Sequence, residues 1–309
     1  MKTYNGTTVK VIGVGGIGCN TISYIHEQKL NHVQLVACDF QGPVSDSGIA
    51  DTLFLKANEQ EANPANADAE IIQNTVFTKA ERVKEMLVEG NTEIVFIVAG
   101  MGGATGTGAA PEIARLAKEL SLLTIGVVTA PKDSTIAEAG INAMKKHTDT
   151  TIVLSIDKLN QQKEISLRID VSDQLNKYVA TAVRAITEIV TVTAEVNVDV
   201  EDVRIVMAGA GRATVGSGTG AGEGRAMIAA QEAIATALLG NEIQGANRVL
   251  LSVISGPETE LEMEELTEIT EFIQNSTSEQ AEIIFGHAID EDLEDQLRVT
   301  FIASTFSEN

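Results

Sequence analysis

The sequence predicts an α/β protein: a doubly wound parallel sheet, a long central helix, and a second, smaller α+β domain. Three observations predict it. Apolar runs of strand length at residues 9–14, 33–39, 94–98, 123–129 and 151–156 alternate with helical patterns. Two of those runs, 9–14 and 94–98, pass into their helices through glycine-rich turns. Val171, Leu175, Tyr178, Val179, Ala182, Ile186, Ile189 and Val190 then keep helical spacing over a longer stretch than any other helix pattern in the chain.

Size and charge narrow the class. A chain of 309 residues, 44% of them apolar, supports more than one core, and the expected division is 1–168, a central helix at 169–192, and 193–309. No apolar run is long enough to span a bilayer, and the first ten residues are too polar for a signal peptide. A soluble, cytoplasmic protein without direct membrane insertion is therefore expected. Cys19 and Cys38 are the only cysteines and read as small core residues. Formal net charge is −22, and residues 257–309 hold fifteen acids against the single base Arg298. Duplex binding needs Lys and Arg to displace counterions, so nucleic acid is excluded as a direct partner of that surface. Self-association would work against like-charge repulsion and respond to salt or divalent cations.

Taken in order, residues 9–14 form a strand that opens into Gly13-Val14-Gly15-Gly16-Ile17-Gly18, followed by a helix to about Gln28 and a strand at 33–39, a βαβ unit. Residues 58–68, polar and containing Pro64, read as a loop. Helices near 80–88, 111–120 and 136–146 separate the strands at 94–98, 123–129 and 151–156. After the long helix come residues 203–208, a glycine-rich loop at 216–224, a helix near 225–239 and a strand at 248–255. A helix near 262–275 and strands at 281–288 and 296–303 finish the second domain. His26, His32, His147 and His287 are scattered without ligand spacing, so no metal site is predicted from side chains.

The most specific segment is Ala99-Gly100-Met101-Gly102-Gly103-Ala104-Thr105-Gly106-Thr107-Gly108-Ala109-Ala110-Pro111. Glycines at a strand-to-helix junction let backbone N–H groups converge, and the helix N-terminus adds about half a positive charge, which together make a phosphate cradle. The first turn, Gly13 to Gly18, also fits G-x-G-x-x-G, with Asp39 at the end of the next strand. Alone it supports a nicotinamide-dependent oxidoreductase in which Asp39 holds the ribose hydroxyls. Two glycine turns in one parallel sheet suit a nucleoside triphosphate better. The chain has no G-x-x-x-x-G-K-[ST], so a P-loop lysine is excluded, and backbone dipoles with a metal ion would manage the phosphate charge.

The segment Gly102 to Gly108 resembles the G-G-G-T-G-T-G signature of the tubulin and FtsZ superfamily. Residues 11–20 resemble its first nucleotide loop, 123–131 its L-T-x-G-V-V-T-x-P strand and 216–226 its G-x-G-x-x-x-G-E-x-R-A segment. Asn197-Val198-Asp199-Val200-Glu201-Asp202 resembles its N-x-D-[FY]-A-D loop, and 247–255 and 283–303 its closing strands. The resemblance implies a GTPase of the filament-forming, cell-division type, with GTP or GDP and Mg²⁺ as cofactors. It implies that Gly15, Gly16, Ile17, Gly18, Cys19 and Asn20, with Gly102, Gly103, Ala104, Thr105, Gly106, Thr107 and Gly108, hold phosphates and ribose, and that Asn176 reads guanine. Asn197, Asp199 and Asp202 would enter the site of the next subunit and orient the attacking water. The implied partners are a head-to-tail second copy of the chain and adaptor proteins of the division apparatus.

Four positions depart from the family pattern. Ala104 replaces a signature glycine, Ser172 stands where an aromatic stacks on the base, and Glu59 and Glu61 precede Ala62-Asn63-Pro64 where the family has glycines. After Pro131 the chain runs through Lys132 and Asp133 into a helix, without the family's F-x-F-E-G-x-x-R element. Two alternatives stay open on these grounds: a structural filament that binds nucleotide and scarcely hydrolyses it, and the nicotinamide oxidoreductase.

Overall fold

Strand and helix alternation produces the expected sheet. The structure, a computed structural model, describes residues 8–30, 32–39, 51–54, 68–131, 134–155, 171–191, 198–237 and 243–305. Nearly all of the predicted 58–68 loop, together with Lys132, Asp133 and Asn197, lies outside the described residues. The chain divides into two compact units, Met1–Ala180 and Thr181–Asn309.

In the first unit the elements are β1 (Thr8–Val14), α1 (Gly15–Glu27), β2 (Val33–Asp39), β3 (Asp51–Phe54), α2 (Ala69–Thr78) and α3 (Ala80–Val88). β4 (Thr92–Gly100), α4 (Ala104–Glu119), β5 (Leu123–Ala130), α5 (Thr135–His147) and β6 (Thr150–Ser155) follow. The strands lie in the order β3-β2-β1-β4-β5-β6, every pair parallel. The order reverses between β1 and β4, and in such sheets the crevice beyond the strand C-termini at that point is where ligands bind. Both glycine turns start there. The core on the α4 face is built from Ile12, Val14, Val95, Ile97, Ala99 and Val128 against Ala109, Ala110, Ile113 and Leu116. Lys10, in the middle of β1, is 2% exposed and gives its ammonium to the carbonyls of Met86 and Glu89 at the end of α3, where the helix dipole is negative.

Two elements here escape the sequence reading. β3 is a four-residue edge strand, and α2 is rich in β-branched residues that lower helix propensity. α4 also begins inside the glycine run rather than at Pro111, which sits in its interior. Burial of Gly106, Gly108, Ala109 and Ala110 outweighs the poor helix propensity of those residues.

The second unit carries the latter part of α6 (Val171–Thr191), then α7 (Val200–Met207), β7 (Gly211–Gly220), α8 (Arg225–Ala237), β8 (Arg248–Ser255), α9 (Met263–Ser276), β9 (Glu282–Ile289) and β10 (Leu297–Thr305). Its strands run β7-β10-β8-β9, antiparallel except for the parallel pair β8 and β9. Residues 216–220, expected as a loop, are the end of β7. The reason is a period-two row of glycines. Cβ atoms at Gly216, Gly218 and Gly220 would stand 2.2, 2.3 and 2.0 Å from the carbonyl oxygens of Ala233, Ala229 and Arg225. α8 therefore lies directly on the strand, with Ala226, Ala229, Ala230, Ala233 and Ala237 buried. Arg225 anchors that helix: its Nε and one terminal nitrogen grip the Glu265 carboxylate at 2.7 and 2.9 Å, and its other N–H groups reach the carbonyls of Thr259, Glu260 and Asp295. All five guanidinium protons are used.

Gly218→Ala is expected to lower unfolding free energy by about 1–3 kcal/mol, because the methyl meets backbone that cannot turn aside; urea denaturation measures it. Arg225 holds the Glu265 carboxyl below the usual carboxylate range, helped by the Glu262 N–H and opposed by burial. A depressed folded pKa contributes stability above the unfolded value of about 4.3 and loses it as pH falls through the folded one. Thermal melts of Glu265→Gln should accordingly be least stable relative to the parent at pH 7, with the gap closing below about pH 4.

Candidate functional site

The site begins with two chain reversals. β1 turns into α1 at Gly15 (φ +69°), and β4 turns toward α4 at Gly102 (φ +105°), backbone conformations that favour glycine. The two turns touch: a Cβ on Gly15 would lie 3.3 Å from Thr105 Cβ and 3.5 Å from Gly106 N. Neither helix has a side-chain cap, its N-cap residue being Val14 in α1 and Gly103 in α4. Two helix N-termini with uncapped N–H groups thus face one region, which suits a polyanion.

The glycines divide into two kinds. Cβ atoms on Gly18, Gly106 and Gly108 would stand 2.3, 2.2 and 2.3 Å from the carbonyl oxygens of Val98, Gly100 and Ala69, so backbone packing accounts for them. Gly16 and Gly103 are exposed, and a Cβ on either would meet nothing within 4 Å. Among the described residues, no atom occupies that space.

The remaining residues fall around these turns. Thr107 holds the second turn in shape: its Oγ1 accepts the Gly102 N–H at 3.0 Å and its N–H donates to Gly103 O. Ala104 is the first residue of α4 and outside the positive-φ region, so the methyl in place of a signature glycine is unstrained. Ile17 is 42% exposed and leans over Gly100, and Asn20 is exposed on α1. Cys19 points the other way. Its thiol contacts the carbonyls of Gly13 and Cys38, and burial, reinforced by Asp39, pushes its pKa up to about 12. Only its backbone is left for a ligand. Asp39 is half-buried at the end of β2.

Asn176, on α6, reaches α1: its Oδ1 lies 2.8 Å from Thr21 Oγ1, which is also 3.0 Å from Ile17 O. Thr129, read from the sequence as part of the 123–129 strand and given no site role, has a hydroxyl sealed from water with no hydrogen-bond partner among the described residues. Its carbonyl accepts the Met101 N–H at 2.7 Å, beside the second turn.

Asp199 and Asp202 belong to the second unit and form a capping box on α7. Asp199 Oδ1 accepts from Glu201 and Asp202 N–H at 2.8 and 3.2 Å, and Asp202 Oδ2 accepts from Asp199 N–H at 3.0 Å. The described residues hold no group of three or more His, Cys, Asp or Glu side chains placed for a metal ion. No described helix is long and apolar enough to cross a membrane.

Comparison with known proteins agrees with this architecture. The tubulin/FtsZ family GTPase domain matches residues 8–164, and the FtsZ family C-terminal domain matches residues 211–307. Among solved structures, an empty FtsZ dimer from M. jannaschii is 29% identical with TM-score 0.80, covering 96% of this chain and 88% of that one. A single-substitution mutant of FtsZ from the same organism is also 29% identical, with TM-score 0.81, over 97% of this chain and 91% of that one. CetZ from Methanosaeta thermophila, 18% identical, shares the fold with TM-score 0.73 over 98% and 87%. The chain belongs to the tubulin/FtsZ family. It is an FtsZ-like protein with a GTPase-family fold, and that membership implies binding of GTP or GDP and displaces the dinucleotide reading of the first turn.

Substitutions separate the two kinds of glycine. Gly16→Ala should leave stability unchanged or raise it by about 0.5–1 kcal/mol, since alanine is the better helix residue. Gly18→Ala should lower it by about 1–3 kcal/mol. Thermal denaturation of both variants checks the assignment.

Proposed function

We propose that the protein is a GTP-binding, filament-forming protein of cell division that works in the cytoplasm. GTP would lie on the N-terminal turns of α1 and α4 and be hydrolysed where successive subunits meet head to tail. The observation that carries this reading is that two uncapped helix N-termini meet at the switch point of the sheet, with Gly16 and Gly103 exposed and no atom of the described residues within 4 Å of a Cβ on either. Backbone N–H groups of residues 15–20 and 102–108 would hold the phosphates and ribose, and Asn176 would read the base. Mg²⁺ would neutralise phosphate charge, held chiefly by the nucleotide itself. The FtsZ of M. jannaschii is known as a dimer, and self-association is carried over from it. A heterologous contact that does not close on itself gives an open filament. Adaptor proteins of the division apparatus would be its further partners.

Asp199, Asp202 and Asn197 would complete the neighbour's site. The capping box uses Asp199 Oδ1 and Asp202 Oδ2 and leaves each carboxylate a second oxygen for water or a cation. Held by backbone N–H groups, the pair would be oriented before the neighbour arrives. The same box favours the second reading, a filament that binds GTP and scarcely hydrolyses it, because it already gives both acids a structural role.

The experiment incubates the protein with GTP, GDP, ATP or NAD and follows sedimentation, phosphate release and electron micrographs of the pellets. GTP-dependent filaments are expected, with phosphate release per subunit rising with protein concentration. Asp202→Asn keeps a capping oxygen and should cut release about 100-fold while filaments persist. Gly16→Ala should weaken GTP binding about tenfold or more, the reverse of its effect on stability. A release rate independent of protein concentration would remove the shared site, and filaments with no release would establish the second reading.

A further inference from the structure

We propose that Thr21 is a positioning residue that turns the Asn176 amide so that its oxygen faces the base, and thereby sets preference for guanine; this rests on the reading of Asn176 as the base contact. Thr21 is fully buried on α1, and its hydroxyl touches two groups, Ile17 O at 3.0 Å and the Asn176 amide at 2.8 Å. A hydroxyl has one proton and two lone pairs. The Ile17 carbonyl can only accept. If the proton went to the amide oxygen, Thr21 Oγ1 and Ile17 O would face each other at 3.0 Å with no hydrogen between them.

Both contacts are satisfied in one arrangement. Thr21 donates back to Ile17 O, as threonine in a helix commonly does to the carbonyl four residues earlier, and the Asn176 amide, placed with Oδ1 toward Thr21, exchanges its oxygen and nitrogen so that Nδ2–H donates to Thr21 Oγ1. A carboxamide's oxygen and nitrogen are placed by the hydrogen bonds around them, and this arrangement turns Oδ1 outward. The side chain of Asn176 is half-buried, with no other hydrogen-bond partner among the described residues, so that outward atom is available to a ligand.

An aspartate at this position would present acceptors in either orientation. An asparagine has one acceptor and one donor, so its orientation decides which base it favours. Guanine offers N1–H and N2–H donors to an outward oxygen. Xanthine carries an oxygen at C2, which would instead select an outward NH₂ group. Hypoxanthine keeps N1–H and lacks the second donor, and adenine offers an acceptor at N1. An outward Oδ1 therefore ranks the bases guanine, then hypoxanthine, then xanthine and adenine.

Isothermal titration of GDP, IDP, XDP and ADP into the wild type, Thr21→Val, Thr21→Ser and Asn176→Asp tests this. The wild type should bind GDP at least about tenfold tighter than XDP, a ratio expected where a polar site meets the wrong edge. Thr21→Val matches the side-chain shape but removes the lone pairs, so the amide turns freely. The GDP to XDP ratio should fall by about fivefold to tenfold. Thr21→Ser should restore it, and Thr21→Ala reads the same effect should valine disturb the helix. In an Asn176→Asp background, Thr21→Val should leave the ratio unchanged. A ratio unaltered by both Thr21→Val and Thr21→Ala, or a wild type that prefers XDP, overturns the proposal while leaving Asn176 as the base contact. Affinities that do not respond to Asn176→Asp or Asn176→Ala overturn that reading as well.

Discussion

The structure depends on backbone meeting backbone at the ends of β1 and β4. The first turn of α1 lies against both strands, with the Cα of Gly18 held so close to Val98 O and Gly13 that no side chain fits between them. α4 makes the equivalent approach through Gly106 to Gly100. These contacts bring two helix N-termini to one place, and neither end is neutralised by a capping side chain. The positive ends of two dipoles in one crevice are an unfavourable arrangement for an empty protein and a favourable one for a bound polyanion. Where the glycines serve packing they are buried. Gly16 and Gly103 are exposed, and among the described residues a Cβ on either would meet nothing within 4 Å.

The second unit applies the same device to a different end. Glycines at alternate positions of β7 let the alanine face of α8 lie on the strand, and Arg225 fixes the start of that helix with every proton it has. The residues that confer geometry here carry little chemistry of their own. At the start of α7 two acids share a capping box. The hydrogen bonds that start the helix also stop two neighbouring carboxylates from swinging apart.

Much of this was legible in the sequence, since strands buried on both faces and helices with one apolar face leave periods of two and 3.6 in the apolar residues. β2, α3 and β8 fall at the predicted bounds, and the remaining predicted strands and helices of the first unit lie within a few residues of theirs, except the start of α4. β3 was too short and α2 too rich in β-branched residues to show, and the other two failures share one cause. At α4 and β7 the local residues are glycine and alanine, whose propensities point to turns, and the elements form because a partner packs on them. Both glycine turns and Asn176 could be found by pattern. Thr21 could not, because a threonine inside an amphipathic helix carries no signal until the chain from residue 176 is placed beside it.

Residue types and spacing alone determined the layered parallel sheet, the two glycine turns at its edge and the acidic character of the C-terminal segment, for these follow from side-chain periodicity, backbone freedom and charge. Only the tertiary structure decided which glycines are packing and which are vacant, that Cys19 turns into the core, that the acids of α7 cap their own helix, and that Thr21 holds Asn176. Each of those outcomes depends on what lies within a few ångströms across a long stretch of chain, and such distances are a property of the packed molecule.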